Sequence, residues 1–453
     1  MTARSAGLRA GVLSVLVLLA FAACSSSPTH AWPSEPTGDG GGDVEGDAAA
    51  PSEPGHDGGA DASDEAPPPP YDFSVKCAGD PCAVRLAARG GSHACVALRD
   101  GTAWCWGANA SGQLGTGWND AGAISAYEPR PHRVAGVTSA KSVAATGTGT
   151  EGTTCVVHGT GEVACFGSNA SGQLGRGTAA STRPNPEPAP VEGGLQAKSV
   201  VLTNRIALAI GTDERLWSWG TNELRLLARS TTGPEDAPAN VAALVDAVSV
   251  APRSCGGTSY AAFVVAADGS LLSWGGGLYD QLGRPSSLYQ DPGPDRIALS
   301  GVSSVATGAN HACALVRGQV HCWGWNEHGE LGTGRKAEEL LPARVLLPPG
   351  VHAVAVAAGG DNTCIIAADG DVHCWGANGS KQLGASQLVV SAMPLKIDGL
   401  GEEAVDVAVM DEAICALLRS GSVKCWGENF LGQLGRGTRE LESSAVPGLV
   451  AFE

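Results

Sequence analysis

Beyond Tyr71 the chain is written in short alternating stretches. Apolar and polar or small residues alternate for five or six positions, a turn signal follows, and a second alternating stretch returns. The first copy reads His93-Ala-Cys-Val-Ala-Leu-Arg-Asp-Gly-Thr-Ala-Trp-Cys-Trp-Gly107, then Ala-Asn-Ala-Ser-Gly-Gln-Leu-Gly115. Period two predicts strands, and Asp-Gly or Arg-Gly between two such stretches predicts a hairpin. The glycines after the Trp and around the Leu suit a tight turn with positive backbone angles. A Pro is expected to open a further short strand, as at Pro342-Ala-Arg-Val345 and Pro394-Leu-Lys-Ile397, because a strand's first residue can spare its donor.

The pattern repeats seven times. Its Trp-Gly element stands at Trp106, Trp219, Trp274, Trp323, Trp375 and Trp426, with Phe166 in the second copy, at spacings of 60, 53, 55, 49, 52 and 51 residues. Gly-Gln-Leu-Gly is intact at 112–115, 172–175 and 432–435. It becomes Gly-Glu-Leu-Gly at 329–332 and Lys-Gln-Leu-Gly at 381–384, and decays to Leu226-Leu227-Ala228 in the third copy. One such unit cannot bury both faces alone. Radial repetition buries them and leaves only short, protected edges, with one large aromatic per unit for the core between blades.

The Cys-Ala-Leu, Trp-Gly-x-Asn and Gly-Gln-Leu-Gly elements, taken together over about 84–450, resemble the regulator-of-chromosome-condensation repeat family. The resemblance implies an all-β fold, a seven-bladed β-propeller of four-stranded blades, here spanning 71–453. Residues 447–450 are expected to meet residues 84–88 and close the ring.

Residues 1–70 read differently. Arg4 and Arg9 precede an apolar run from Ala10 to Phe21, too short to span a bilayer comfortably. Phe21-Ala22-Ala23-Cys24 resembles a bacterial lipobox, with Phe21 where Leu is usual. Residues 1–23 are therefore expected to be a lipoprotein signal peptide and Cys24 the lipidated residue. Ser25 after it points to the outer membrane or cell surface. Several acyl chains anchor stably where one binds only marginally. Residues 24–70 are expected to be a disordered, acidic, Pro/Gly-rich linker, spanning roughly 35–40 Å on average.

The net charge of −17 is uneven: residues 25–70 hold ten acids and no Lys or Arg, leaving −9 for 71–453. A mildly acidic body lacks the basic stripe that binding to phosphate backbones requires, which argues against nucleic acid.

Five copies carry a cysteine pair: Cys95/Cys105, Cys155/Cys165, Cys313/Cys322, Cys364/Cys374 and Cys415/Cys425. The other two lack both members, having Leu208/Ser218 and Phe263/Ser273 instead. Around the two-residue turn Arg317-Gly318, Cys313 and Cys322 fall opposite one another at a non-hydrogen-bonded position, where side chains come closest. Five stapled hairpins are expected, with Cys77/Cys82 as a sixth bridge, and these imply an oxidising compartment. The spacing is not that of a zinc site. Cys255 is left over, as a buried inert thiol, a partner for one of the early cysteines, or an exposed reactive group.

Catalytic patterns are absent from the sequence: no His-Glu-x-x-His, no Gly-x-Ser-x-Gly, no phosphate loop. His93 and His311 hold equivalent repeat positions, which suggests structural hydrogen bonds. Glu327 and Glu330 read as surface charge. Non-repeated residues are better functional candidates, since function sits in loops on a rigid scaffold. The long connection after the first copy carries Trp118, Tyr127 and Arg130, residue types favoured as interface anchors. The expected role is non-enzymatic: an envelope-anchored, monomeric recognition or scaffold module, without cofactor, binding a protein or surface polymer through its loops. Guanine-nucleotide exchange, an activity the resemblance implies, conflicts with export. A carbohydrate-active enzyme would need unique acids or histidines gathered on one face.

Overall fold

Seven hairpins grow into seven blades, at residues 83–133, 140–190, 197–240, 247–296, 302–344, 353–396 and 404–449; each has four antiparallel strands, and the second gains a fifth, Arg89–Gly91, which runs parallel to its inner strand Ala140–Gly147. The computed structural model describes residues 70–452 except 120, 148, 179, 230–233, 242–243, 245, 256–258, 277–281, 287–289 and 386. The signal-peptide, Cys24 and linker expectations lie outside the described residues. So does the side chain of Cys255, whose backbone ends the first strand of the fourth blade. Among the described residues the only helical pieces are two short 3-10 turns, Glu192–Gly194 and Glu223–Arg225.

In each blade the strands run in chain order from the central channel outward. The hairpin between the second and third strands is the most local element. In the fifth blade it turns through Arg317 (φ 49°) and Gly318 (φ 82°), both left-handed, as a tight two-residue hairpin turn needs. The register sets Cys313 opposite Cys322. Equivalent registers join Cys95 to Cys105, Cys155 to Cys165, Cys364 to Cys374 and Cys415 to Cys425. All five are disulfides with Cα atoms 4.1 Å apart, in keeping with the close non-hydrogen-bonded pairing. Cys77 and Cys82 form the sixth.

The outer strands differ from expectation. Glu339–Arg344 and Val390–Lys396 contain Pro342 and Pro394 in their interiors. The registers jump there, between Cys322 and Gly324 and between Cys374 and Gly376. Each Pro sits in the irregularity of an edge strand, where no ladder partner waits for its missing N–H.

The aromatic series locks blade to blade. All six repeat tryptophans and Phe166 are fully buried. Each observed indole N–H donates to the backbone carbonyl at the Gln position of the preceding blade's turn. Trp106 reaches Gln433 (2.9 Å), Trp219 reaches Gln173 (2.9 Å), Trp375 reaches Glu330 (2.7 Å) and Trp426 reaches Gln382 (2.7 Å). Trp274 reaches Leu226 (2.9 Å), so the decayed third turn still supplies its carbonyl. Phe166 cannot donate, and the Gln113 carbonyl keeps only the Thr154 hydroxyl (2.7 Å), a bond that Thr363 makes to Glu330 beside the Trp375 indole. The turn's last glycine is required by this contact: a Cβ on Gly435 would lie 2.9 Å from the Trp106 indole nitrogen, and its φ is +66°.

The Trp-Gly-x-Asn asparagine holds the same turn from inside. Asn109, Asn169, Asn222, Asn326, Asn378 and Asn429 each accept the N–H of the turn's leucine at 2.8–3.1 Å. His93 and His311 donate to or accept from Thr154 and Thr363 of the next blade, at 2.9 and 2.8 Å. Burial lowers the His93 pKa to about 3, so it stays neutral. These repeated polar residues are cross-blade ties.

The ring does not close by pairing the last strand with the first. Ser444–Leu449 pairs with Val423–Gly427, and Ala83–Ala87 pairs with His93–Leu98. Closure comes from side chains. Leu86, Val96 and Trp106 of the first blade pack with Ala408, Leu417, Leu434 and Val450 at the other end of the chain. The segment before the first blade adds backbone bonds, Lys76 N–H to Arg419 O (2.6 Å) and Ala78 N–H to Ser420 O (3.1 Å), and Ala83 at the blade's start adds another to Gly421 O (3.0 Å). Tyr71 donates to the Ala404 carbonyl at 2.8 Å beneath the Arg419 guanidinium. A blade-to-blade seam with its own buried contacts needs no shared sheet.

Candidate binding face

The seven inner strands line a channel of about 280 Å³ whose walls are Leu86, Val143, Val200, Val250, Val305, Val356, Val407 and neighbouring alanines. The charged residue of that lining is Arg89, which crosses from the first blade to donate to the Thr307 hydroxyl and carbonyl of the fifth. The channel is apolar along its walls and bridged at one mouth.

That mouth belongs to the face formed by the connections between first and second strands and between third and outer strands. In the sixth and seventh blades these connections bring carboxyls together. Burial, then the charges of Asp361 and Glu412, raise the Asp411 pKa to about 6. Burial, then the Glu412 charge and a hydrogen bond with it, raise Glu428 to about 7. Ser380 donates to Glu412 (3.1 Å) and Gln433 to Glu428 (2.8 Å). Aligned, the repeats offer Asn310 and Arg205 at the first-to-second turn where the last two blades have Asp361 and Glu412. That contrast is the sequence signal for the cluster, and it is faint, because nothing in one copy marks these acids as neighbours.

Exposed apolar residues border the same blades. Among the described residues, ten of the thirteen large exposed hydrophobics lie between 340 and 449, which places the apolar surface on the last three blades. Val389 and Leu441 are 74% and 89% exposed on the third-to-outer connections, which also carry the exposed Leu388 and Phe430.

The three sequence candidates separate. Gly117 donates to the Pro186 carbonyl (3.1 Å), so the long first connection leans on the second blade. Trp118, 43% exposed, shares a groove with Arg183, Pro184 and Pro186. Tyr127 faces the seventh blade instead, with the Arg439 guanidinium 3.9 Å from its ring centre and 5.0 Å from that of Phe430. Arg130 packs on the same neighbour, its Nε 2.7 Å from where a Cβ on Gly437 would stand. Tyr127 and Arg130 thus join the acidic and apolar face, and Trp118 lies on another seam.

Glu330 is not surface charge. It is fully buried at the Gln position of the fifth turn, and burial raises its pKa to about 8. His328, Glu330 and Asp361 each place one possible ligand atom within 4.8 Å of the others. His328 Nδ1 is 3.5 Å from Asp361 Oδ2.

The fold and its repeated ties define a seven-bladed β-propeller whose blades are locked by buried aromatics and mostly stapled. The chain carries regulator of chromosome condensation (RCC1) repeats, matched at residues 100–156, 268–315 and 317–366, and by a second form of the repeat at 84–113, 302–330 and 353–382. It is 27% identical over 366 residues to the ultraviolet-B receptor UVR8 of Arabidopsis thaliana, covering 79% of this chain and 80% of that one. It is 28% identical to the human E3 ubiquitin-protein ligase HERC2 over 75% of this chain, spanning 7% of that much longer protein. The crystal structure of Prp20p from Saccharomyces cerevisiae superposes with a TM-score of 0.65 at 20% identity, over 77% of this chain and 85% of that one.

Proposed function

We propose that the protein is a non-catalytic recognition module that binds a protein or surface polymer through the loop face of its sixth, seventh and first blades. The observation that carries this reading is the pairing, on one face, of clustered carboxyls with an exposed apolar border. Exposed apolar patches beside polar groups mark contact surfaces, and a rigid ring is a suitable support for them. Packed carboxyls with raised pKa values favour a partner that brings positive charge, because a cation beside them relieves their mutual repulsion. The solved relative Prp20p is described by its binding to Gsp1p and histones, which supports protein contact as the mode of action.

The lipobox-like Cys24 and the stapled hairpins support a place at the cell envelope, with residues 24–70 as the tether. Cross-linking of the full chain in its native envelope tests the binding face. The paired changes Phe430→Ala/Leu441→Ala and Glu412→Gln/Glu428→Gln are expected to reduce one specific cross-linked species at least tenfold while the fold persists. An unchanged species in both variants overturns the face. Cys24→Ser is expected to move the protein out of the membrane fraction, and retention there overturns the anchor.

A further inference from the structure

We propose that His328, Glu330 and Asp361 form a divalent-metal site between the fifth and sixth blades, of a kind that takes Zn²⁺. In other blades the Gln of Gly-Gln-Leu-Gly makes two bonds. Its Oε1 accepts the N–H two residues earlier, as Gln113 does from Ser111 (2.9 Å) and Gln173 from Ser171 (2.8 Å). Its Nε2 then donates outward, Gln173 to the Asn204 carbonyl (2.8 Å) and Gln382 to Asn362 Oδ1 (3.2 Å). The recipient of the Gln173 bond lies in the first-to-second turn of the next blade.

Glu330 keeps the first bond and cannot make the second. Its Oε2 accepts the His328 N–H at 2.8 Å. Its backbone is fixed by two further bonds, since its carbonyl accepts from Thr363 (2.9 Å) and Trp375 (2.7 Å). Oε1 therefore stands where the other blades place a donor, and it has no hydrogen-bond partner among the described residues. A fully buried, unpartnered carboxylate oxygen is costly and calls for a cation or a proton.

The next blade's turn supplies the rest. Asp361 occupies it, and the His328 ring comes to 3.5 Å from its carboxylate. The His328 Nδ1 lone pair is likewise without a hydrogen-bond partner among the described residues. One imidazole and two carboxylates are a donor set for Zn²⁺, with a fourth position left for water. Donors about 2.0–2.1 Å from a tetrahedral zinc stand roughly 3.4 Å apart, so the ligand atoms, which lie within 4.8 Å of one another, must draw together. His328 is on a surface turn and has room to do so. The metal would supply the charge that a Gln supplies elsewhere as an N–H, and would tie the two blades.

The purified, oxidised full chain, stripped with a chelator and titrated with Zn²⁺ by calorimetry, tests the site. One equivalent is expected to bind and to raise Tm. Glu330→Gln restores the residue of other blades and should fold at least as stably without metal, yet weaken Zn²⁺ binding at least tenfold and abolish the rise in Tm. His328→Ala should weaken binding similarly. His132→Ala removes a histidine–carboxylate contact elsewhere, His132–Glu128 at 3.1 Å, and should leave binding unchanged. Absence of stoichiometric binding, binding insensitive to both Glu330→Gln and His328→Ala, or loss in His132→Ala alone overturns the site.

Discussion

The third and fourth blades do without the bond that staples the other five, and the same backbone results. In the stapled blades a disulfide fills the space between second and third strands. In the other two, Leu208 and Phe263 occupy the first position and Ser218 and Ser273 the second, in unchanged register. The hydroxyls are satisfied: Ser218 donates to the Leu227 carbonyl (2.9 Å) and Ser273 to that of Leu282 (2.8 Å). Arg284 adds bonds to the Ser273 hydroxyl and carbonyl, both 3.0 Å, and pairs with Asp291. The same arginine position serves stapled blades, Arg176 reaching the Cys165 carbonyl and Arg436 that of Cys425. Blade geometry thus comes from hairpin register and from contacts between blades. The disulfide constrains the unfolded chain, and bulk plus hydrogen bonds replace it by stabilising the folded one.

Reduction is expected to have the largest effect on the stapled blades. Each short-loop disulfide contributes about 2–3 kcal/mol, so reducing all five hairpins is expected to lower Tm sharply. Hydrogen exchange should accelerate in the five stapled blades first and leave the third and fourth nearly unchanged. Uniform acceleration would show that the staples support the ring as a whole.

Phe263→Ala comes next. It removes the side chain that stands in for a sulfur pair and packs edge-on against Trp323 at 5.6 Å between ring centres. A loss of about 3–5 kcal/mol is expected by denaturant titration. The double change Leu208→Cys/Ser218→Cys adds a staple to the third blade. Its register should let the new pair oxidise without loss of fold, with two fewer titratable thiols than residues added and a gain of up to about 2–3 kcal/mol. Failure to oxidise would mean that the third blade has diverged in shape as well as in residues.

The smallest effect concerns the decayed turn of that blade. Ala228 (φ 50°) holds a left-handed angle where every sister turn has glycine, and Arg225 (φ 61°) holds one at a position that Lys381 (φ 59°) also fills without glycine. Ala228→Gly is expected to stabilise the chain by up to about 1 kcal/mol, since it removes Cβ strain at the cost of added freedom in the unfolded chain. Equal or lower stability would show that the turn has adapted to its Cβ.

The contrast also separates what is legible in sequence from what is not. Strand alternation, Trp-Gly spacing and paired gain or loss of cysteines are local patterns, because a hairpin's register depends on ten residues and one turn. They determined seven blades, their strand pairs and which blades could be stapled. They could not place proline inside an outer strand, because the bulge that receives it forms only against the neighbouring strand. They could not close the ring, since its seam is side-chain packing between residues more than three hundred positions apart. They set Trp118 beside Tyr127 and Arg130, which the structure turns toward opposite neighbouring blades. Glu330 read as surface charge because one carboxylate in a turn looks solvated; it is buried because the next blade covers it. Local pairing follows from the order of residues, whereas burial and the meeting of distant acids follow from the curvature that brings blade against blade.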